Sequence, residues 1–156
     1  MRCAWISLVL ALAATPALAQ TADTNLKAGQ KYLASIARQP GVVKLKTGVL
    51  YRIVSRSPNP GAQPTVADTV TIDYEGKLIT GQVFDSSYAR HEPAALPLDR
   101  LVPAWQEVIP LMHTGDEVIL YTPPSEAYGD RDLSPDIPPN STLIFRVHLI
   151  GIGGAQ

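Results

Sequence analysis

The 156-residue chain is 46% hydrophobic and 17% charged, with a formal net charge of −1. That composition belongs to a folded globular domain and excludes collagen, coiled coil and disordered tail. The near-zero charge gives no electrostatic case for nucleic acid or an anionic membrane surface. Fourteen prolines argue against a long helical bundle.

Met1–Ala19 reads as a cleavable secretory signal. Arg2 supplies the positive end, Ala4–Ala14 the apolar stretch, Thr15-Pro16 the break, and Ala17-Leu18-Ala19 the small-x-small cleavage site. The apolar run falls short of the roughly 20 residues a membrane span needs, so no membrane anchor is expected once it is cut. The only cysteine, Cys3, would leave with it. An exported chain without thiols has no disulfide, thiol catalysis or cysteine metal site. The expected compartment is a bacterial periplasm, with secretion as the alternative.

Residues 20–40 form an expected helical segment. Leu26, Ala28, Tyr32, Leu33, Ile36 and Ala37 give Thr24–Arg38 an apolar face, Thr24 or Asn25 can cap it, and Pro40-Gly41 stops it. Residues 41–156 then read mainly as strands. Val42–Leu45 and Val49–Val54 flank a Lys46-Thr47-Gly48 turn, and the Pro-rich stretch 57–65 is a loop. Thr69–Leu78 alternates, with Val70, Ile72 and Tyr74 on one face. Gln82–Asp85 and Ala94–Leu98 are short strands, the second at an edge because of Pro97. Leu101–Met112 is the one helical candidate here. Pro103 suits its first turn, and Pro110 ends it early. Glu117–Thr122 and Thr142–Ile150 close the set. Between them lies an 18-residue loop, Pro123–Asn140, with five prolines, a length that usually signals function. The expected fold is α+β: an antiparallel β-sheet wrapped around one short helix, with an N-terminal helix attached.

No nucleophile elbow, phosphate loop, dinucleotide fingerprint or zinc-protease motif occurs. His91, His113 and His148 are scattered without ligand spacing. Neither cofactor nor metal is therefore expected.

Five motifs stand in order: Val70–Leu78 with its tyrosine, Gly81-Gln-Val-Phe-Asp-Ser-Ser87, Leu101-Val-Pro-Ala-Trp105, Pro124-Ser-Glu-Ala-Tyr-Gly129 and Ile137-Pro-Pro-Asn-Ser-Thr-Leu-Ile-Phe145. Together they make the chain resemble FKBP-type peptidyl-prolyl cis–trans isomerases. The upstream Asn25–Leu33, Gly41-Val-Val and Gly48–Tyr51 are similar to exported bacterial members of the macrophage-infectivity-potentiator type, with a shortened N-terminal arm.

The resemblance implies a substrate pocket of Tyr74, Phe84, Leu101, Trp105, Ile137 and Phe145, with Trp105 as the floor. Val102, through its backbone N–H, and Tyr128, through its hydroxyl, would bond substrate carbonyls. Asp85 would sit at the rim, paired with Arg90. The implied partners are proline-containing polypeptides, and the family's macrolide inhibitors are expected to bind. Several residues depart from the pattern. Ala94 replaces a large aromatic, Ala104 a glycine, and Leu133 sits near a position where some relatives have histidine.

Taken singly, Trp105, Tyr74, Phe84 and Phe145 read better as core, Asp85 as a turn cap and Tyr128 as a packing residue. Their joint order favours a pocket. Such a pocket needs neither nucleophile nor cofactor: an amide twisted out of resonance is less dipolar than a planar one, so an apolar cavity with a few hydrogen bonds favours it. The alternative reading is a periplasmic chaperone or proline-segment binding module with weak or no catalysis.

Overall fold

A computed structural model of the chain describes residues 16–153. The expected leader lies mostly outside the described residues. Its last four residues, from Pro16, form the start of a helix, α1 (Pro16–Ile36). That helix begins a full two turns before the expected Thr24 cap. Nothing between Ala17 and Asp23 breaks a helix, and proline is well tolerated at a first position. Asn25, now mid-helix, sends its side-chain N–H to the carbonyl of Pro139 at 3.0 Å.

Seven antiparallel strands follow: β1 (Val42–Lys44), β2 (Leu50–Ser55), β3 (Thr69–Leu78), β4 (Val83–Ser86), β5 (Ala94–Pro97), β6 (Glu117–Thr122) and β7 (Leu143–Ile152). Their order is β1-β2-β6-β7-β3-β4, with β5 pairing β3. The β1–β2 turn closes on Gly48, whose φ of 96° is a left-handed value that other residues resist.

Period-2 alternation divides the sheet into two faces. Val70, Ile72, Tyr74 and Leu78 of β3 join Val118, Leu120, Phe145 and Val147 in the main core, beneath Trp105 and Val108. The opposite face, through Leu50, Tyr121 and Ile144, takes α1 by way of Tyr32, Leu33 and Ile36. This is why Leu143, Ile144 and Phe145 are buried in succession: both faces of β7 are covered there. The helix presents Leu26, Gly29, Tyr32, Leu33 and Ile36 to the domain, whereas Ala28 and Ala37, expected on that face, are exposed. Gly29 is required at its place, since a Cβ would lie 2.1 Å from the Thr142 hydroxyl.

The helix α3 (Pro103–Val108) opens on Pro103 and gives way at Pro110 to a single 3₁₀ turn, Ile109–Leu111. A second short helix, α2 (Ser87–Arg90), was not expected. Its four residues are too few to show a period, and it is set by the Ser86 hydroxyl, which accepts from the Ala89 N–H at 3.2 Å.

Candidate active site

Strand β3 delivers Tyr74, β4 delivers Phe84 and Asp85, β7 delivers Phe145, and α3 lays Trp105 across them. The rings form a continuous edge-to-face series. Tyr74 meets Trp105 at 5.4 Å between centroids, Trp105 meets Phe145 at 5.2 Å, and Phe145 meets Phe84 at 5.9 Å. Gly76 makes the last contact possible. A Cβ there would stand 2.6 Å from the Phe84 ring and 3.0 Å from Phe145.

Over these rings opens a cavity of about 300 Å³, lined by Tyr74, Phe84, Asp85, Leu101, Val102, Trp105, Tyr128 and Phe145, together with Leu96 and Arg100. Eight expected residues are thus brought together. Ile137 is not. It packs half-buried against the main core, held by a bridge to Ser134 within the Pro123–Asn140 loop, and it does not line the cavity. Ala94 is likewise absent from the lining, and Leu96, two residues along the same face of β5, takes part instead. Leu133 is 51% exposed and stands away from it. Leu96 and Arg100 belong to no motif. Leu96 is placed by its long-range pairing with Val70, which only the hydrophobic alternation of 94–98 could have suggested.

The polar rim is built on Asp85. The Tyr74 hydroxyl donates to its Oδ2 at 2.5 Å, and Arg90 forms an ion pair with its Oδ1. Arg90 also donates to the Tyr74 oxygen at 3.1 Å, with its guanidinium 5.6 Å from the centre of that ring. Burial alone would raise the Asp85 pKa, but the bonds from Tyr74 and Arg90 outweigh it and hold the carboxyl below the usual aspartate range. Tyr74 is pushed the other way, by burial and by its bond to Asp85. The fully buried Ser87 hydroxyl anchors this corner. It accepts from the Tyr74 N–H and donates to Asp73, each at 2.8 Å.

Two donors that the resemblance sets against substrate carbonyls have no partner among the described residues. The Val102 N–H makes no backbone or side-chain hydrogen bond. Val102 lies extended at φ −59°, ψ 148°, as the residue before a proline prefers. The Tyr128 hydroxyl is also without a partner. Burial, and then the charge of Asp85, raise its pKa, which keeps it a proton donor. Its loop is pinned at the base by Asn140 N–H to Gly129 O and Gly129 N–H to Pro124 O, both 2.8 Å. Beneath, Trp105 is 4% exposed and its indole N–H is unbonded. The arrangement offers an apolar floor, apolar walls and two unpaired donors. Among the described residues no cluster of His, Cys, Asp or Glu could hold a metal.

Residues 61–150 match the family model described as FKBP-type peptidyl-prolyl cis-trans isomerase, and residues 10–53 match the domain amino terminal to it. The peptidyl-prolyl cis-trans isomerase Mip of Coxiella burnetii is 40% identical over 82% of this chain and 55% of its own length. The FKBP-type 22 kDa peptidyl-prolyl cis-trans isomerase of Escherichia coli is 43% identical over 80% of the chain and 59% of its own. The crystal structure of FkpA from Escherichia coli superposes with a TM-score of 0.82 at 37% identity, over 89% of this chain and 64% of that one. The chain thus spans about half the length of the curated relatives it matches.

Proposed function

The chain belongs to the FKBP-type peptidyl-prolyl cis-trans isomerases, and from that premise we propose that it accelerates rotation about Xaa-Pro bonds in exported proteins as they fold. One observation carries the proposal: an apolar cavity floored by Trp105 holds two donors, the Val102 N–H and the Tyr128 hydroxyl, with nothing else to bond.

The barrier to rotation is about 18–20 kcal/mol and arises from amide resonance. A prolyl ring seated on Trp105, between Tyr74, Phe84 and Phe145, leaves water. There the planar, dipolar amide loses more solvation than the twisted one. The Val102 N–H holds the carbonyl of a neighbouring peptide unit and fixes the chain on one side of the bond. Tyr128 donates to a carbonyl on the other side of the cavity. Asp85, kept charged by Arg90 and Tyr74, stabilises the rim and favours the more polar end of the rotating unit. Each ~1.4 kcal/mol of stabilisation that exists only in the twisted state gives about tenfold in rate. No covalent step enters.

The leader implies export, with the periplasm as the working compartment. No helix among the described residues is long and apolar enough to cross a membrane. A macrolide of the tacrolimus type would occupy the same cavity through the same two donors.

The test is isomerisation of an Xaa-Pro peptide in a protease-free assay, with and without tacrolimus. Removal of the expected leader takes Trp5 with it and leaves Trp105 the sole tryptophan, so its fluorescence reports occupancy in the same sample. Catalysis that tacrolimus abolishes supports the proposal. A fluorescence response without catalysis would replace it with a binding module or chaperone. The absence of both signals would overturn it.

A further inference from the structure

Asp85 and Arg100 are the two charged residues that line the cavity, and their situations differ. Asp85 is already bound by Arg90 and Tyr74. Arg100 is exposed and forms no ion pair among the described residues.

Its backbone is held in place. Gln106 of α3 donates its side-chain N–H to the carbonyl of Asp99 at 3.2 Å, in the peptide unit before Arg100, and of Leu101 at 2.7 Å, while the Leu101 N–H donates to the Leu98 carbonyl at 3.2 Å and holds the unit after it. The guanidinium therefore extends from a fixed point immediately before Leu101 and Val102. A second cation stands by Tyr128. Arg131 donates from Nε to the Tyr128 carbonyl at 3.1 Å, and its charge acts on the Tyr128 hydroxyl.

None of the acids closest in sequence lines the cavity. Asp99 is outside the cavity lining, and Asp130 lines the groove between the loop and α1. Asp132 and Glu92 are exposed and form no ion pair among the described residues. Asp85 already has Arg90 as its counter-charge, so Arg100 is the charged residue of the lining with no ion-pair partner among the described residues.

We infer that Arg100 makes this cavity select Xaa-Pro segments bearing a carboxylate on a residue flanking the proline, over those bearing an amine. The inference rests on the isomerase reading and names its substrate class. An exposed, solvent-screened pair gives about a two- to fivefold preference. Attraction for one peptide and repulsion of the other widen the gap between them.

The experiment measures kcat/KM for matched peptides with Glu, Leu or Lys immediately before the proline, and again immediately after it. Wild type, Arg100→Lys, Arg100→Gln and Arg100→Glu are compared at low and at high salt. The readout is the Glu-to-Lys ratio within each variant, so a general change of rate cancels. The expected ratio is about threefold or more in wild type at low salt in at least one position. It should be retained in Arg100→Lys, fall toward one in Arg100→Gln and in high salt, and reverse in Arg100→Glu. A wild-type ratio near one at both positions, or a ratio indifferent to Arg100, overturns the inference while leaving the isomerase reading intact. If no peptide isomerises, the isomerase reading fails instead. The same ratio, taken as Kd from Trp105 fluorescence, then still decides for or against Arg100.

Discussion

The Tyr74 hydroxyl and the Asp85 carboxylate, carried on adjacent antiparallel strands, meet at 2.5 Å. The bond joins a wall of the cavity to its rim, and Arg90 closes it into a triangle. Its worth depends on Asp85 being charged. In the folded chain Asp85 titrates below the ordinary aspartate value. The stabilisation is therefore complete above that ordinary value, about 3.9, and is lost as the pH falls through the folded one. Tyr74→Phe and Asp85→Asn should each cost about 1 kcal/mol or less at pH 7, because the site is partly exposed and screened. Urea midpoints at pH 7 and pH 3 check this. The gap from wild type should narrow at pH 3, and an equal gap at both would assign the loss to packing.

The Tyr128 hydroxyl has no partner among the described residues, so it should matter to turnover and not to the fold. Tyr128→Phe should lower kcat/KM about three- to tenfold, the worth of one hydrogen bond, with an unchanged melting temperature. Burial and the Asp85 charge raise its pKa, so it should remain a donor well past pH 9. A pH profile of kcat/KM flat from pH 6 to 9 in wild type fits this. An inflection near 8 would point to another group.

Gly76 is the hinge point of the Phe84–Phe145 contact. Gly76→Ala would force a methyl into both rings. The expected cost is about 1–3 kcal/mol from overpacking. Because Phe84 is the more exposed ring, it should move, and KM should rise more than kcat falls. Steady-state kinetics alongside thermal melting separates the two effects.

Trp105 and Asp116 form a useful contrast. Trp105→Ala should cost about 3–5 kcal/mol by opening a core cavity. Trp105→Phe should cost far less, since the indole N–H has no partner to lose. Asp116 is buried away from the cavity, where it accepts from the N–H groups of Ser57 at 2.8 Å and His113 at 3.0 Å. Burial raises its pKa, but these bonds outweigh it and hold it low. Asp116→Ala should cost about 2–3 kcal/mol while leaving kcat/KM of the remaining folded protein unchanged. Denaturant titration and an activity assay on the same samples check both halves.

Most of the fold was legible because local signals agreed with it. The alternation of Thr69–Leu78 gave β3 to the residue, and Glu117–Thr122 gave β6. Pro103 and Pro110 marked where α3 starts and fails. What was not legible depended on contacts distant in sequence. α1 extends to Pro16 through residues that favour helix anyway, and its true face was shifted because Gly29, not Ala28, must lie against Thr142. The Asp85–Arg90 pair was readable, being five residues apart and within a turn of each other. Arg100 and Leu96 were not, because only the pairing of β5 with β3 brings that segment to the cavity. Ile137 carries a motif yet lies outside the lining, bridged to Ser134 and packed against the core.

The edge-to-face series Tyr74–Trp105–Phe145–Phe84 makes the floor of the cavity and the keystone of the core one object. Variation cannot explore that floor without putting the fold at risk, since a change that harms one harms the other. The mouth is under no such tax. Arg100 sits exposed in the turn after a short edge strand, where a side chain can be exchanged with little strain. New preferences among client sequences should therefore arise at the mouth, while the floor changes little from one descendant to the next.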